Sequence, residues 1–162
     1  MKRLSHLDTQ GAVRMVEVGS KRVTRRSARA RALVRLPPEC VPVMAAGGRS
    51  HKGDVFQVAR LAGIMAAKRT SDFVPLCHPL AIDGVDVELR LDQNLITVQT
   101  TVRNTGKTGA EMEALTAAAG AALAVYDMLK GLSHDVVIER IELVEKRGGR
   151  SGVIRRRVAR SR

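Results

Sequence analysis

Five side chains clustered at the two ends of one stretch could do acid–base chemistry. Glu111 and Glu113 stand at its start; Tyr126, Asp127 and Lys130 stand at its end. Between them, residues 114–125 carry no charge at all. The run of Ala117, Ala118, Ala119, Gly120, Ala121, Ala122 and Ala124 favours helix and leaves little side chain to hold neighbouring elements apart. On such a helix Glu113 and Asp127 fall within about 40° of one face, yet roughly 21 Å apart along the axis. One small site cannot use both ends. The simplest arrangement in which both ends act is a site shared between subunits.

The elements that must carry these groups follow from the hydrophobic pattern. Residues 1–22 form a polar, largely irregular arm. From residue 23 to 36 the chain alternates, with Ala28, Ala30, Ala32, Val34 and Leu36 on one face and Arg29, Arg31 and Arg35 on the other, which predicts a half-buried strand. Pro37 and Pro38 end it and start a short helix through Ala46, closed by Gly47 and Gly48. Asp54 suits an N-cap, and Val55, Val58, Ala59, Ala62, Met65 and Ala66 recur at helical spacing to about Lys68. Two alternating runs, 85–91 and 95 to about 103, flank a turn at 92–94 and predict a hairpin. The long helix follows, ends near Gly131, and a last strand spans about 136–146. The order β-α-β-β-α-β predicts a ferredoxin-like α+β sandwich, an antiparallel sheet with helices on one face, over residues 23–147. Residues 148–162 read as a basic, flexible tail, since no acidic residue follows Glu145.

Composition bounds the function classes. A chain of 162 residues suits one compact domain. Its core must be aliphatic, because there is no Trp, one Tyr and two Phe. A net charge of +12 predicts attraction to anions: a phosphorylated metabolite, nucleic acid or an acidic surface. Cys40 and Cys77 are too few and too far apart for a disulfide framework or a CxxC metal site, and no amino-terminal apolar run resembles a signal peptide. A reducing, cytoplasmic compartment is expected. No uninterrupted apolar run of about 18 residues predicts a membrane span.

Individual motifs are ambiguous on their own. Lys52 lies in a Gly-flanked loop at a helix start, where backbone N–H groups favour an anion, but a lone loop lysine is more often simply solvated. By composition His78 reads as a structural histidine and Cys77 as inert packing. GKTG at 106–109 lacks the glycine a P-loop needs at position 101, which is Thr101, and so reads as a turn. His51, His78 and His134 have no zinc spacing. RNA-recognition modules of this topology stack bases on strand aromatics, whereas Phe56 and Tyr126 fall on helices and Phe73 in a loop. Nucleic acid is therefore a poor fit as the main partner.

Six segments together are more specific: MVEV (15–18), KGDVF (52–56), AGIMAAKRT (62–70), PLCHPL (75–80), GKTGAEMEALTAA (106–118) and YDMLK (126–130). In order and in length they resemble the cyclic pyranopterin monophosphate synthase family of molybdenum cofactor biosynthesis, over roughly residues 4–152. The resemblance implies a ferredoxin-like protomer in a homohexamer, a trimer of dimers with active sites at subunit interfaces. It implies a GTP-derived substrate, 3′,8-cyclised dihydro-GTP made by a radical-SAM GTP cyclase partner, and release of pyrophosphate. It implies Asp127 as catalytic acid/base, Lys130 one turn away to hold it, and Lys52 as a second catalytic lysine. Leu76, Cys77, His78, Met112 and Glu113 match substrate-contact positions, with Glu111 close by; Glu113 suits the guanine-derived N–H groups and Arg26 the triphosphate. No tightly bound cofactor is expected, Mg2+ accompanying the triphosphate being the exception.

Two departures stand out: Glu17 where the family usually has Asp, and Arg150 in KRGGRSG (146–152) where it has Lys. The alternative function is a catalytically inactive basic module, binding nucleic acid or a partner on the same scaffold.

Overall fold

The computed structural model describes residues 10–156. Five strands build one antiparallel sheet: β1 (Thr24–Arg35), β4 (Gly84–Asp92), β5 (Leu95–Gly106), β6 (Val137–Arg147) and the two-residue β7 (Ile154–Arg155). Their spatial order is β4-β5-β1-β6-β7. The helices are α1 (Val41–Ala45), α2 (Val55–Lys68), α3 (Thr70–Phe73) and α4 (Glu111–Leu129), and a small hairpin of β2 (Arg49–Ser50) and β3 (Gly53–Asp54) precedes α2. Helices α2 and α4 lie on one face of the sheet, as the ferredoxin-like pattern predicts.

The alternation in β1 does what its period dictates. Ala28, Ala30, Ala32 and Val34 are buried under the helices, and their partners on β5, Val102, Thr100, Val98 and Ile96, complete that face. The arginines point the other way, and several meet carboxylates there: Arg31 pairs with Glu142, Arg35 with Glu139 and Arg103 with Asp86. Much of the basic outer face is thus neutralised locally.

Small residues set the distance between helices. Gly63 of α2 faces the Ala117 carbonyl, and a Cβ there would lie 3.0 Å from it. A Cβ on Gly120 would fall 2.5 Å from Ala66 Cβ and 3.2 Å from the Ala62 carbonyl oxygen. With Ala114, Ala117, Ala118, Ala121 and Ala122 all buried, α4 rests directly on the sheet and on α2. By length and composition α4 could cross a bilayer, but it is the core helix of the domain, 56% buried within it.

Some boundaries differ from expectation, for identifiable reasons. Strand β5 continues past Arg103 to Gly106 because β1 supplies partners, Thr105 opposite Arg25 and Gly106 opposite Thr24. The helix therefore begins at Glu111, and residues 107–110 are a connection. On α2 the buried positions are Val55, Ala59, Gly63 and Ala67, while Val58, Leu61 and Met65 form an exposed apolar stripe. The carboxy-terminal segment expected to be flexible folds back within the described residues, where Ile154 and Arg155 pair with Lys146 and Glu145. Residues 10–23 contain no helix or extended strand.

Gly120→Val should destabilise the domain by about 2 kcal/mol through overpacking, which for a chain of this size lowers Tm by roughly 4–8 °C. Thermal unfolding of the variant checks this; an unchanged Tm would mean that α2 and α4 are not in the contact described.

Candidate active site

The carboxy-terminal end of α4 holds the first cluster. Asp127 and Lys130 sit in its last turn, one helical turn apart, with Lys130 Nζ 2.7 Å from Asp127 Oδ1. Lys52 arrives from the opposite direction, at the tip of the β2–β3 hairpin. There Gly53 adopts φ +111, a conformation that glycine tolerates without strain, and Lys52 N donates to Ser50 Oγ. Its Nζ donates to Asp127 Oδ2 at 3.0 Å and to the Asp127 carbonyl oxygen at 2.8 Å. A Cβ on Gly131 would come within 2.9 Å of His51, so the chain after α4 leaves just enough room for this hairpin.

Two ammonium groups on one carboxylate have a clear electrostatic result. Hydrogen bonds from Lys130 and then Lys52 hold the Asp127 carboxyl below its ordinary value, and the Asp127 carboxylate in turn raises Lys130. All three side chains remain substantially open to solvent, Asp127 by 54%.

The second cluster lies at the other end of α4. A pocket of about 290 Å³ is lined by Leu76, Cys77 and His78 from the 74–83 loop and by Glu111, Met112 and Glu113 from the first turn of α4, with residues 108 and 109 between them. Burial pushes the Glu113 carboxyl up; bonding to its own backbone N–H opposes this and the nearby Glu111 charge adds to it. Cys77 is pushed up by burial and then by the Glu113 charge, which disfavours the thiolate a nucleophile needs. Thr100 of β5, itself buried, donates to the Ala114 carbonyl at 2.8 Å and so fixes the start of α4 to the sheet.

This pocket opens through His78, Thr108, Gly109 and Glu111 into a groove of about 810 Å³. Six cations line the groove: Lys21 and Arg22 from the arm, Arg26 from β1, Lys107, Lys146 from β6 and Arg150 from the segment after it. Lys146 pairs with Glu111 at 2.9 Å, and Lys107 donates to the Gly19 carbonyl. Arg26 Nε donates to the Gly106 carbonyl at 3.0 Å, with its guanidinium against Gly149, where an added Cβ would lie 2.4 Å from Nη1. Concentrated positive charge of this kind suits a polyphosphate.

Of the residues singled out from sequence, Lys52, Asp127 and Lys130 meet at one end of α4. Leu76, Cys77, His78, Glu111, Met112 and Glu113 meet at the other, and Arg26 joins them through the groove. The two groups do not meet within one chain, since Glu113 and Asp127 stand fourteen positions apart on α4, roughly 21 Å. Sequence reasoning passed over Lys21, Arg22, Lys107 and Lys146. Their only signal was charge beside glycine, as in GKTG and KRGG, which is equally the signature of a solvated turn. Glu17 accepts from Gly19 N at 2.6 Å, so the longer side chain closes a local turn next to the groove. Among the described residues no group of three or more His, Cys, Asp or Glu side chains is placed to hold a metal ion.

Comparison with known proteins gives the chain's relatives. The chain is 52% identical over 159 residues to the cyclic pyranopterin monophosphate synthase of Pelotomaculum thermopropionicum, covering 97% of this chain and 93% of that one. It is 51% identical over 158 residues to the protein of the same name from Thermomicrobium roseum, covering 96% and 95% respectively. The model of the MoaC family matches residues 15–149, which include both clusters and five of the six groove cations. The chain belongs to the MoaC family.

Proposed function

We propose that this protein is a cyclic pyranopterin monophosphate synthase, a lyase of molybdenum cofactor biosynthesis that converts 3′,8-cyclised dihydro-GTP to cyclic pyranopterin monophosphate and pyrophosphate. The observation that carries this reading is the junction of a six-cation groove with a pocket floored by the buried Glu113, in a chain half identical to proteins of that name. One part of such a site suits a triphosphate and the other a polar base.

In this reading the groove cations bind the triphosphate, Arg26 bridging it to the base pocket, and Mg2+ enters only as a companion of the phosphates. Glu113 accepts from the guanine-derived N–H groups, an interaction that repays the burial of its carboxylate. His78 and Met112 close the sides of the pocket. Rearrangement of the base needs proton transfers, and closure of the cyclic phosphate needs a sugar hydroxyl to attack the innermost phosphorus. In that step the new P–O bond forms, the inner phosphoanhydride bond breaks, and its electron pair leaves with pyrophosphate. The two ammonium groups keep the Asp127 carboxylate ionised and so free to accept a proton, at a cost in basicity, and the same pairing makes Lys130 a weaker acid, so a proton taken up by Asp127 is readily passed on. Asp127 is assigned the acid/base role, with Lys52 and Lys130 beside it.

Since the two clusters stand at opposite ends of α4, a complete site joins the Asp127 end of one subunit to the Glu113 end of another. The openness of Asp127 and the exposed Val58, Leu61 and Met65 stripe favour such an assembly, and a homohexamer built as a trimer of dimers meets the requirement. The substrate would be supplied by a radical-SAM GTP cyclase in the cytoplasm. The alternative of an inactive basic binding module draws less support, because much of the arginine-rich outer face is paired with carboxylates.

Two measurements bear on this. Purified protein incubated with the cyclised dihydro-GTP should release pyrophosphate and form the pterin together, and Asp127→Asn should lower turnover by about 10²- to 10⁴-fold; a correctly assembled wild type without turnover would rule the enzyme out. Carbon-13 titration of the Asp127 carboxyl should give a midpoint below the ordinary aspartate value that rises in Lys130→Met. A midpoint indifferent to that substitution would mean that the lysine does not tune the acid.

A further inference from the structure

Residues 148–153 form a turn that the backbone does little to fix. Gly148, Gly149 and Gly152 all have positive φ (+90, +69 and +63), and the turn is closed by one bond from Gly152 N to the Gly149 carbonyl at 3.2 Å. Glycines in such numbers raise the entropy lost on ordering, and a two-residue ladder is a weak anchor. Yet this turn lines the cationic groove with Gly149, Arg150 and Ser151, and it packs on the Arg26 guanidinium.

What holds it lies just beyond it. Arg155 Nε donates to Glu145 Oε2, Arg156 Nη1 lies 3.1 Å from Glu142 Oε2, and Arg156 N donates to the Val144 carbonyl at 2.9 Å. Both carboxylates are nearly buried, Glu142 with a side chain 2% exposed and Glu145 8% exposed. Each is also engaged from the other side, Glu145 by Arg147 and Glu142 by Arg31, with Arg140 3.9 Å away. The Arg155–Glu145 contact is a hydrogen bond between ionised groups with one partner out of water, the strong class; Arg156 meets Glu142 as an ion pair, since Glu142 Oε2 accepts no hydrogen bond among the described residues. Arginines from β7 and its flank therefore grip a carboxylate pair that β6 already holds in place.

We infer that the Arg155–Glu145 and Arg156–Glu142 pairs form a latch that fastens the 148–153 turn to β6 and so presents Arg150, Ser151 and Arg26 to a polyphosphate in the groove. Arg155 and Arg156 are positioning residues, acting through the turn rather than on the ligand. The inference deepens the reading of the groove as the triphosphate site, but it can be tested without turnover. Preorganisation of a binding loop raises affinity by removing the cost of ordering it.

The test exploits a difference in sign. Glu145→Gln makes the protein one unit more positive, so long-range electrostatics alone would tighten binding of any polyanion. Loss of the latch would weaken it. Calorimetric titration with inorganic tripolyphosphate should show wild-type binding and a five- to tenfold higher Kd for Glu145→Gln, with Tm measured alongside. Unchanged or tighter binding would overturn the latch. If Glu145→Gln fails to fold, Arg155→Gln is compared with Arg90→Gln, which removes the same charge from β4 at the far edge of the sheet. Only the Arg155 variant should lose affinity beyond the charge effect, and equal losses would overturn the latch. A wild type that does not bind tripolyphosphate overturns the groove assignment itself, a result distinct from either variant outcome. With substrate, Glu145→Gln should raise KM by a similar factor and leave kcat near wild type.

Discussion

The close seating of α4 is the constraint on which the rest depends. Because Gly63 and Gly120 allow α2 and α4 to approach until a Cβ would clash, the helix is wedged between its neighbour and the sheet. A helix held in this way is a fixed spacer. It sets the Glu113 pocket and the Asp127 cluster roughly 21 Å apart, and no side-chain movement in one chain can bring them together. A protein with chemistry at both ends of that spacer has a physical reason to assemble.

Each end is built by a different economy of contacts. At the Asp127 end three side chains from two elements share charge, and the cluster is open to water. At the Glu113 end the carboxylate is buried and its ionisation opposed, which makes it responsive to any ligand that offers N–H groups. The groove beside it draws on the arm, the start of β1, residue 107 and the end of β6, which the sheet register brings side by side: Thr24 lies opposite Gly106, and Ser27 opposite Arg147. Antiparallel pairing thus gathers basic residues from three separated stretches of the sequence, 21–26, 107 and 146–150, at one corner of the sheet.

The same facts explain what could be read from sequence. Strand and helix periods were plain because Ala28 to Val34 alternate and residues 114–125 of α4 are alanine-rich and uncharged, so the ferredoxin-like order follows from local pattern. Asp127 and Lys130 share one helical turn and were visible together. The approach of Lys52 to Asp127 across 75 residues was not visible from spacing, and only the resemblance of KGDVF and YDMLK to one family linked them. The groove was hidden for a different reason: Lys107 and Lys146 acquire meaning only when β1 pairs on both sides. Val58 and Met65 have the spacing of core residues yet are exposed, because α2 turns Ala59 and Gly63 toward α4. The fold back of Ile154 and Arg155 depends on buried carboxylates of β6, which a count of charges treats as solvated.

The proposal that a complete site takes one end of α4 from each of two subunits is tested most directly by mixing inactive variants. Asp127→Ala and Glu113→Gln, each unable to turn over the cyclised dihydro-GTP, would be dissociated together and reassembled. Random pairing should leave about a quarter of the sites with both ends intact, and activity should return in that proportion. Mixed assemblies that form but stay inactive would contradict the shared site, and would require both clusters to act within a single chain.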